Sequence, residues 1–241
     1  NIHALYTEED FLWIGTFSKG LNRYNLKTKS LKTYKKSNEP NSISENSIFS
    51  ICKDRKGNLW IGTLSGLNIY HYITDDFTRI KEMEGVFVQD ILEDIDGNMW
   101  FATFNKGVYR YNPETRKWTH FLHDANESNS IPFNKITSIY ESNDKNLWFT
   151  TEGGGFFMLN KGQDTFISYN SSLGLSNEVV YQIIQDNENN FWLSTNQGLS
   201  KFNLANKTFK NYTVHEGLNS NQFNYKSSYK TDDGTLYFGS I

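Results

Sequence analysis

The sequence predicts an all-β fold, and three observations predict it: a motif that recurs at a steady spacing, an aromatic-rich composition, and short runs in which apolar residues alternate. The motif is clearest as Asn58-Leu59-Trp60-Ile61-Gly62-Thr63. It returns at 11–16, 98–103, 146–151 and 190–195, and in worn form as Thr235-Leu236-Tyr237-Phe238-Gly239-Ser240. Its aromatic anchor stands at positions 13, 60, 100, 148, 192 and 237, in steps of 40 to 48 residues. Self-similarity at such a period marks a repeat architecture. Aromatics make up 16% of the 241 residues and Pro occurs 3 times, a composition that suits short strands pinned by aromatic side chains. Four antiparallel strands per repeat of this length make the blade of a β-propeller.

The second repeat shows the elements in order. Ser47 to Cys52 alternates as a strand does, and Lys53-Asp54-Arg55-Lys56-Gly57-Asn58 supplies turn chemistry. Leu59 to Thr63 is a second strand, Leu64-Ser65-Gly66 reverses it, and Leu67 to Tyr70 is a third. Phe77 to Ile80 is a short fourth. The same order places blades at about 1–34, 46–80, 86–121, 134–169 and 178–212, with half a blade at 222–241. Five blades and a half imply a larger ring, of seven blades, since an open ring leaves strand edges exposed; the alternative is an irregular closure or completion by a neighbouring chain. The chain starts at Asn1 with neither an initiator Met nor a signal stretch, and reads as an excised or processed segment.

Each motif residue has a structural task. The Trp packs between neighbouring sheets. The Gly two places on admits another backbone closely, and the Thr suits a strand. The Asp six places before the Trp (Asp54, Asp94, Asp186) opens the turn and bonds the backbone two residues on.

Composition excludes several functions. The net charge is −3 with no basic cluster, which argues against nucleic acid. No run of 18 apolar residues occurs to span a membrane. The single cysteine, Cys52, excludes an intrachain disulfide and reads as a small strand residue rather than a reactive thiol. No nucleophile elbow, zincin motif or phosphate loop is present, and Gly153 to Gly155 read as a tight turn. His120 and His123 stand three apart on a strand that runs into a loop, which is not a metal-site spacing. The expectation is of no catalytic residue, no metal and no cofactor.

Binding is placed by topology. The 2–3 loops and the long connections from strand four to the next blade share one face: 35–46, 122–134, 170–178 and 214–222. Long loops gathered on one face of a rigid scaffold commonly carry function. Asn46, Asn134, Glu178, Asn221 and Gln222 stand at the start of the first strands, nearest the central channel, with groups suited to sugar hydroxyls. Phe17 and Phe104 add aromatic rings for stacking. Against this, a polar residue at the start of a strand also serves to cap backbone groups, and an aromatic there also fills gaps between blades.

The pattern D-x-x-G-N-L-W-I-G-T followed by G-L-N-x-Y, at Asp54 to Thr63 and Gly66 to Tyr70, resembles the two-component regulator propeller repeat. Gly217 to Asn224 looks like the last blade of the second propeller in hybrid two-component sensors of Bacteroides-type bacteria. Ala102, Thr150 and Ser194 depart from the motif Gly, Tyr237 from its Trp, and Lys145 and Asn189 from the turn Gly. The resemblance implies the periplasmic sensor portion of an inner-membrane protein, working as a homodimer. It implies an oligosaccharide ligand and a signal passed to a kinase outside this chain. Two other readings stay open: a propeller lyase or hydrolase acting on a carbohydrate or cyclic peptide, and a scaffold propeller that binds protein through an apolar patch.

Overall fold

In a computed structural model that describes residues 1–241, each recurrence of the motif forms the second strand of an antiparallel sheet whose strands follow in chain order. The first blade is β1 (Ile2–Glu8), β2 (Phe11–Thr16), β3 (Leu21–Asn25) and β4 (Leu31–Tyr34). The second is β5 (Ile48–Lys53), β6 (Leu59–Thr63), β7 (Gly66–His71) and β8 (Asp76–Arg79). The third is β9 (Val88–Glu93), β10 (Met99–Thr103), β11 (Val108–Asn112) and β12 (Lys117–Phe121). The fourth is β13 (Ile136–Glu141), β14 (Leu147–Thr151), β15 (Phe156–Asn160) and β16 (Thr165–Tyr169). The fifth is β17 (Val180–Gln185), β18 (Phe191–Thr195), β19 (Gly198–Asn203) and β20 (Thr208–Tyr212). A two-stranded sheet, β21 (Phe223–Lys230) with β22 (Leu236–Ser240), ends the chain. The fold is an all-β propeller of five four-stranded blades and half of a sixth.

Two compact units make it up: Asn1–Phe104 with Tyr109–Thr119, and Asn105–Val108 with His120–Ile241. In the first unit β1 lies beside β5 and β5 beside β9; in the second β13 lies beside β17 and β17 beside β21. The first strand of each blade is thus the inner one.

Trp13, Trp60 and Trp148 are buried between blades, as their area demands, while Trp192 is part-buried. The Trp13 ring lies 4.8 Å from Tyr70 of the next blade, Trp60 5.6 Å from Phe101, and Trp148 4.7 Å from Phe191. The Asp before it does more than open a turn. One oxygen accepts the N–H four residues on and the other accepts the Trp indole N–H, at 2.8 Å from Trp60 to Asp54 and 2.7 Å from Trp100 to Asp94. The expected bond two residues on is seen at Asp186, which accepts from Glu188 N. Where the Asp is missing, Glu8 serves Trp13 and Ser142 serves Trp148. The motif Gly admits side chains rather than backbone: a Cβ on Gly62 would overlap Ser50 Oγ and come within 2.8 Å of Val88.

The blades of the first unit are stapled by charge as well as by rings. The Arg23 guanidinium stands over the rings of Phe11 and Trp13, at 5.0 and 5.5 Å, and donates to Tyr70. Asp75 accepts from Tyr34, Tyr70 and Lys32. Burial works to raise the Asp75 carboxyl, but those hydrogen bonds and the Arg23 charge outweigh it and hold it at about 2. Beside it Glu8 accepts from Lys53, Tyr72 and Trp13, which together overcome burial and lower its pKa. In the second unit the corresponding core is aromatic: Trp148, Phe156, Tyr169, Phe191 and Phe202 close on one another with Leu175, Val180 and Leu193.

Single 3-10 turns occur where loops were expected, at Lys81–Met83, Ser171–Leu173 and Val214–Glu216. Asn170 caps the second, accepting from Ser172 N, and Thr213 with Glu216 forms a capping box on the third. Gly174 and Gly217 end these two turns in the left-handed region.

Cys52 lies on β5, and burial pushes its thiol up to about 12, which keeps it an unreactive packing group. No helix is long and apolar enough to cross a membrane.

Candidate functional site

The rim at which the inner strands begin is built on one backbone frame per blade. The motif Thr closes the 2–3 loop, its hydroxyl donating to the carbonyl of the following Gly at 2.8, 2.9, 2.8 and 2.7 Å from Thr16, Thr63, Thr151 and Thr195. The next residue then donates its N–H to the residue at the head of the inner strand. These pairs are Phe17–Asn1, Leu64–Ser47 and Phe104–Phe87 in the first unit, and Glu152–Lys135, Asn196–Val179 and Ile241–Gln222 in the second. Just beyond, each inner strand of the five full blades carries a β-bulge. The residue that the register with the second strand skips is His3, Phe49, Gln89, Thr137 or Tyr181. A bulge re-aims a side chain without ending the sheet. Three positions per blade are therefore fixed in backbone and free in side chain.

In the first unit these positions bring together an aromatic row. Phe17 and Phe49 stand edge to face at 6.2 Å, Phe49 lies 4.4 Å from Phe87, and Phe87 stacks on Phe104 at 5.1 Å. His3 lies against both Phe17 and Phe49, at 5.6 and 4.8 Å. Phe17 is half exposed, Phe87 and Phe104 are partly exposed, and Phe49 is the buried floor. Gln89 is buried and its Oε1 accepts no hydrogen bond.

In the second unit the same positions are polar. The Tyr225 hydroxyl donates to Glu152 at 2.7 Å, reaching from the inner strand of the sixth blade to the fourth. Lys135 stands 3.8 Å from the same carboxylate. The Tyr181 ring meets Tyr225 edge to face at 4.8 Å, and its hydroxyl donates to Asn196 at 3.2 Å. Burial, then Glu152, pushes the Tyr225 hydroxyl up, so it remains a donor. Gln182 accepts from Ser228 at 2.8 Å beneath them.

Of the residues expected at the site, Phe17 and Phe104 lie in the aromatic row. Asn46, Asn134, Glu178 and Asn221 instead share a clasp: a side-chain oxygen accepts the N–H of Lys36, His123, Ser171 or Val214, while the main-chain carbonyl accepts from Gly20, Gly107, Gly155 or Gly198. This is the capping role weighed against sugar contact. The second Glu178 oxygen, Oε2, is buried without a partner. Gln222 is exposed, and its backbone N–H donates to Ser220 Oγ. His120 and His123 are exposed, and each bonds a main-chain carbonyl, of Lys106 and of Ile131. Gly153 to Gly155 form the expected turn, closed by Gly154 N on Thr151 Oγ1.

Sequence reading did not single out His3, Phe49, Phe87, Lys135, Tyr181 and Tyr225 for this rim. The available signal was alignment of the repeats on their Thr, which makes the next residue Phe17, Leu64, Phe104, Glu152 and Asn196.

The family model described as two component regulator propeller matches residues 42–65, 83–105, 130–153 and 174–197. Histidine kinase P4 of Formosa agariphila is 29% identical over 256 residues, taking in 99% of this chain and 18% of that protein. Among solved structures, the extracellular domain of a hybrid two-component system from B. thetaiotaomicron superposes with a TM-score of 0.79 at 21% identity, over 100% of this chain and 32% of that one. PorZ, a surface component of the type-IX secretion system of Porphyromonas gingivalis, gives 0.78 at 17% identity, over 100% and 37%. Virginiamycin B lyase from Staphylococcus aureus gives 0.67 at 11% identity, over 100% and 84%. These superpositions show a shared propeller fold.

Proposed function

The chain carries two-component regulator propeller repeats, and on that premise we propose that it is the ligand-sensing propeller of a hybrid two-component sensor. It works in the periplasm, binds an oligosaccharide, and passes the signal to a kinase module elsewhere in the same protein, which acts as a homodimer.

The observation that carries this reading is the row Phe17, Phe49, Phe87 and Phe104 on the rim where the long connections gather. Flat apolar rings in a row suit the C–H faces of successive pyranoses, and a polar surround suits their hydroxyls. Signalling then follows from differential affinity, because a ligand shifts a two-state equilibrium only by binding one state better. The lyase reading has no comparable observation behind it, since His120 and His123 each bond a main-chain carbonyl and do not converge.

Calorimetric titration of the chain with a panel of neutral and acidic oligosaccharides tests the proposal. Phe17→Ala and Phe104→Ala each weaken binding by about fivefold, in line with ~1 kcal/mol for a lost aromatic contact. Absence of heat and of thermal shift across the panel would remove the reading.

A further inference from the structure

We propose that a cleft over the second blade is an oxyanion subsite, which gives the aromatic rim beside it a preference for oligosaccharides bearing a carboxylate or sulfate. The inference rests on the oligosaccharide reading above and deepens it.

The cleft, of about 420 Å³, lies in the first unit between the connection into the second blade, the loop after β6 and the 3-10 turn after β8. Its size is that of a small-ligand pocket. The chain itself joins it to the rim. Leu64 holds the second blade's rim position, and two residues on Gly66 N donates to Val86 O at 2.8 Å, just ahead of Phe87. Gly85 of the cleft wall is two residues from Phe87, a Cα separation of at most about 7 Å.

Lys36, Arg79 and Lys81 line the cleft against a single acid, Glu84. Lys36 is answered by Glu45 at 3.2 Å, but neither Arg79 nor Lys81 has a carboxylate within ion-pair reach. Arg79 is held by neutral oxygens instead. Its Nε donates to Ser42 O at 2.9 Å, and its Nη2 to Ser42 Oγ at 2.6 Å and Glu39 O at 3.1 Å. Its Nη1 donates to no group of the chain. A guanidinium fixed in this way keeps its whole charge, and little further ordering is needed when an anion arrives. Carboxylate and sulfate oxygens make short, charge-assisted hydrogen bonds to such a group, which a sugar hydroxyl does not match. Arg79 also clamps the connection that carries Ser37 and Ser42, so its loss would disturb the cleft wall. Lys81 is exposed and its side chain holds nothing in place, so it carries the test.

The 241-residue chain, Lys81→Glu and Lys56→Glu are titrated with sodium sulfate, followed by amide chemical shifts. Calorimetry then compares cellotetraose and mannotetraose, each beside its C6-oxidised, carboxylate form. Lys56 stands in the turn at the other end of β6, where its substitution makes the same change of charge away from the cleft. Sulfate moves the amides of Ser65, Gly66 and Gly85, and the original chain prefers the acidic member of a pair. Lys81→Glu lowers the acidic-to-neutral affinity ratio by about tenfold, and Lys56→Glu leaves it unchanged. Cleft amides unmoved by sulfate, no preference for the acidic member, or an equal loss in Lys56→Glu overturns the subsite. Sulfate bound at the cleft with no heat from any of the sugars brings down the oligosaccharide reading and makes the cleft a site for the free anion.

Discussion

The two units use one backbone frame and opposite chemistry. In the first, the rim is a row of phenylalanines and the inter-blade packing is stapled by Arg23, Asp75, Lys32, Glu8 and Lys53. In the second, the rim carries Glu152, Lys135, Tyr181 and Tyr225, and the packing between blades is a cluster of Trp, Phe and Tyr. Main-chain bonds from motif to inner strand are the same in both. The comparison teaches that the repeat fixes where a side chain is presented and leaves its kind free, at the rim and between blades alike.

The largest expected effect breaks the comparison at its aromatic side. Trp148 is fully buried against Phe156, Tyr169 and Phe191, so Trp148→Ala destabilises by about 3–5 kcal/mol, and chemical denaturation shows it. Trp192 is only part-buried, stacked on Tyr212 at 5.5 Å, and Trp192→Ala costs clearly less. Equal losses would mean that the cluster does not hold the second unit.

A smaller effect tests the charged staple. The folded Asp75 pKa of about 2 lies below the unfolded carboxylate value of about 3.9. Its stabilisation is therefore complete above about pH 4 and is lost as pH falls toward 2. Asp75 is about a third exposed, so solvent screening limits the contribution to about 1 kcal/mol. Amide exchange in β3 and β7 should accelerate through that window, and Asp75→Asn should flatten the dependence. A flat profile in the original chain would show that the staple does not bear on stability.

The smallest change sharpens the likeness between the units. Lys145 stands in the left-handed region, φ 65°, where the first unit has Gly57 at 90° and Gly97 at 82°. Lys145→Gly relieves that strain and stabilises by about 0.5–1 kcal/mol, visible as a rise in melting temperature.

Most of the fold was legible because its signals are local and repeated. Trp60, Gly62 and Asp54 announce strand, close approach and turn within a few residues, and the five blades and a half follow. The rim was only partly legible. Phe17 and Phe104 could be placed on it, but the bulge that presents Phe49 and Tyr181 leaves no mark in composition or period. The Tyr225–Glu152 bond joins residues 73 apart that only the packing of three blades brings together. Asn46, Asn134 and Asn221 each accept a backbone N–H, and in sequence an amide that clasps backbone and one that clasps a sugar look alike.

The clasp has a consequence for how the chain folds. The amides of Gly20, Gly66, Gly107, Gly155 and Gly198 each find their acceptor just ahead of the following blade: Asn46, Val86, Asn134, Glu178 and Asn221. No blade completes its own hydrogen bonding; its successor does. Such a chain behaves as a row of nearest-neighbour-coupled units, in which order spreads from one blade to the next. Exchange at each of these glycines then reports the state of the blade after it, and the five amides together give a readout of folding along the row.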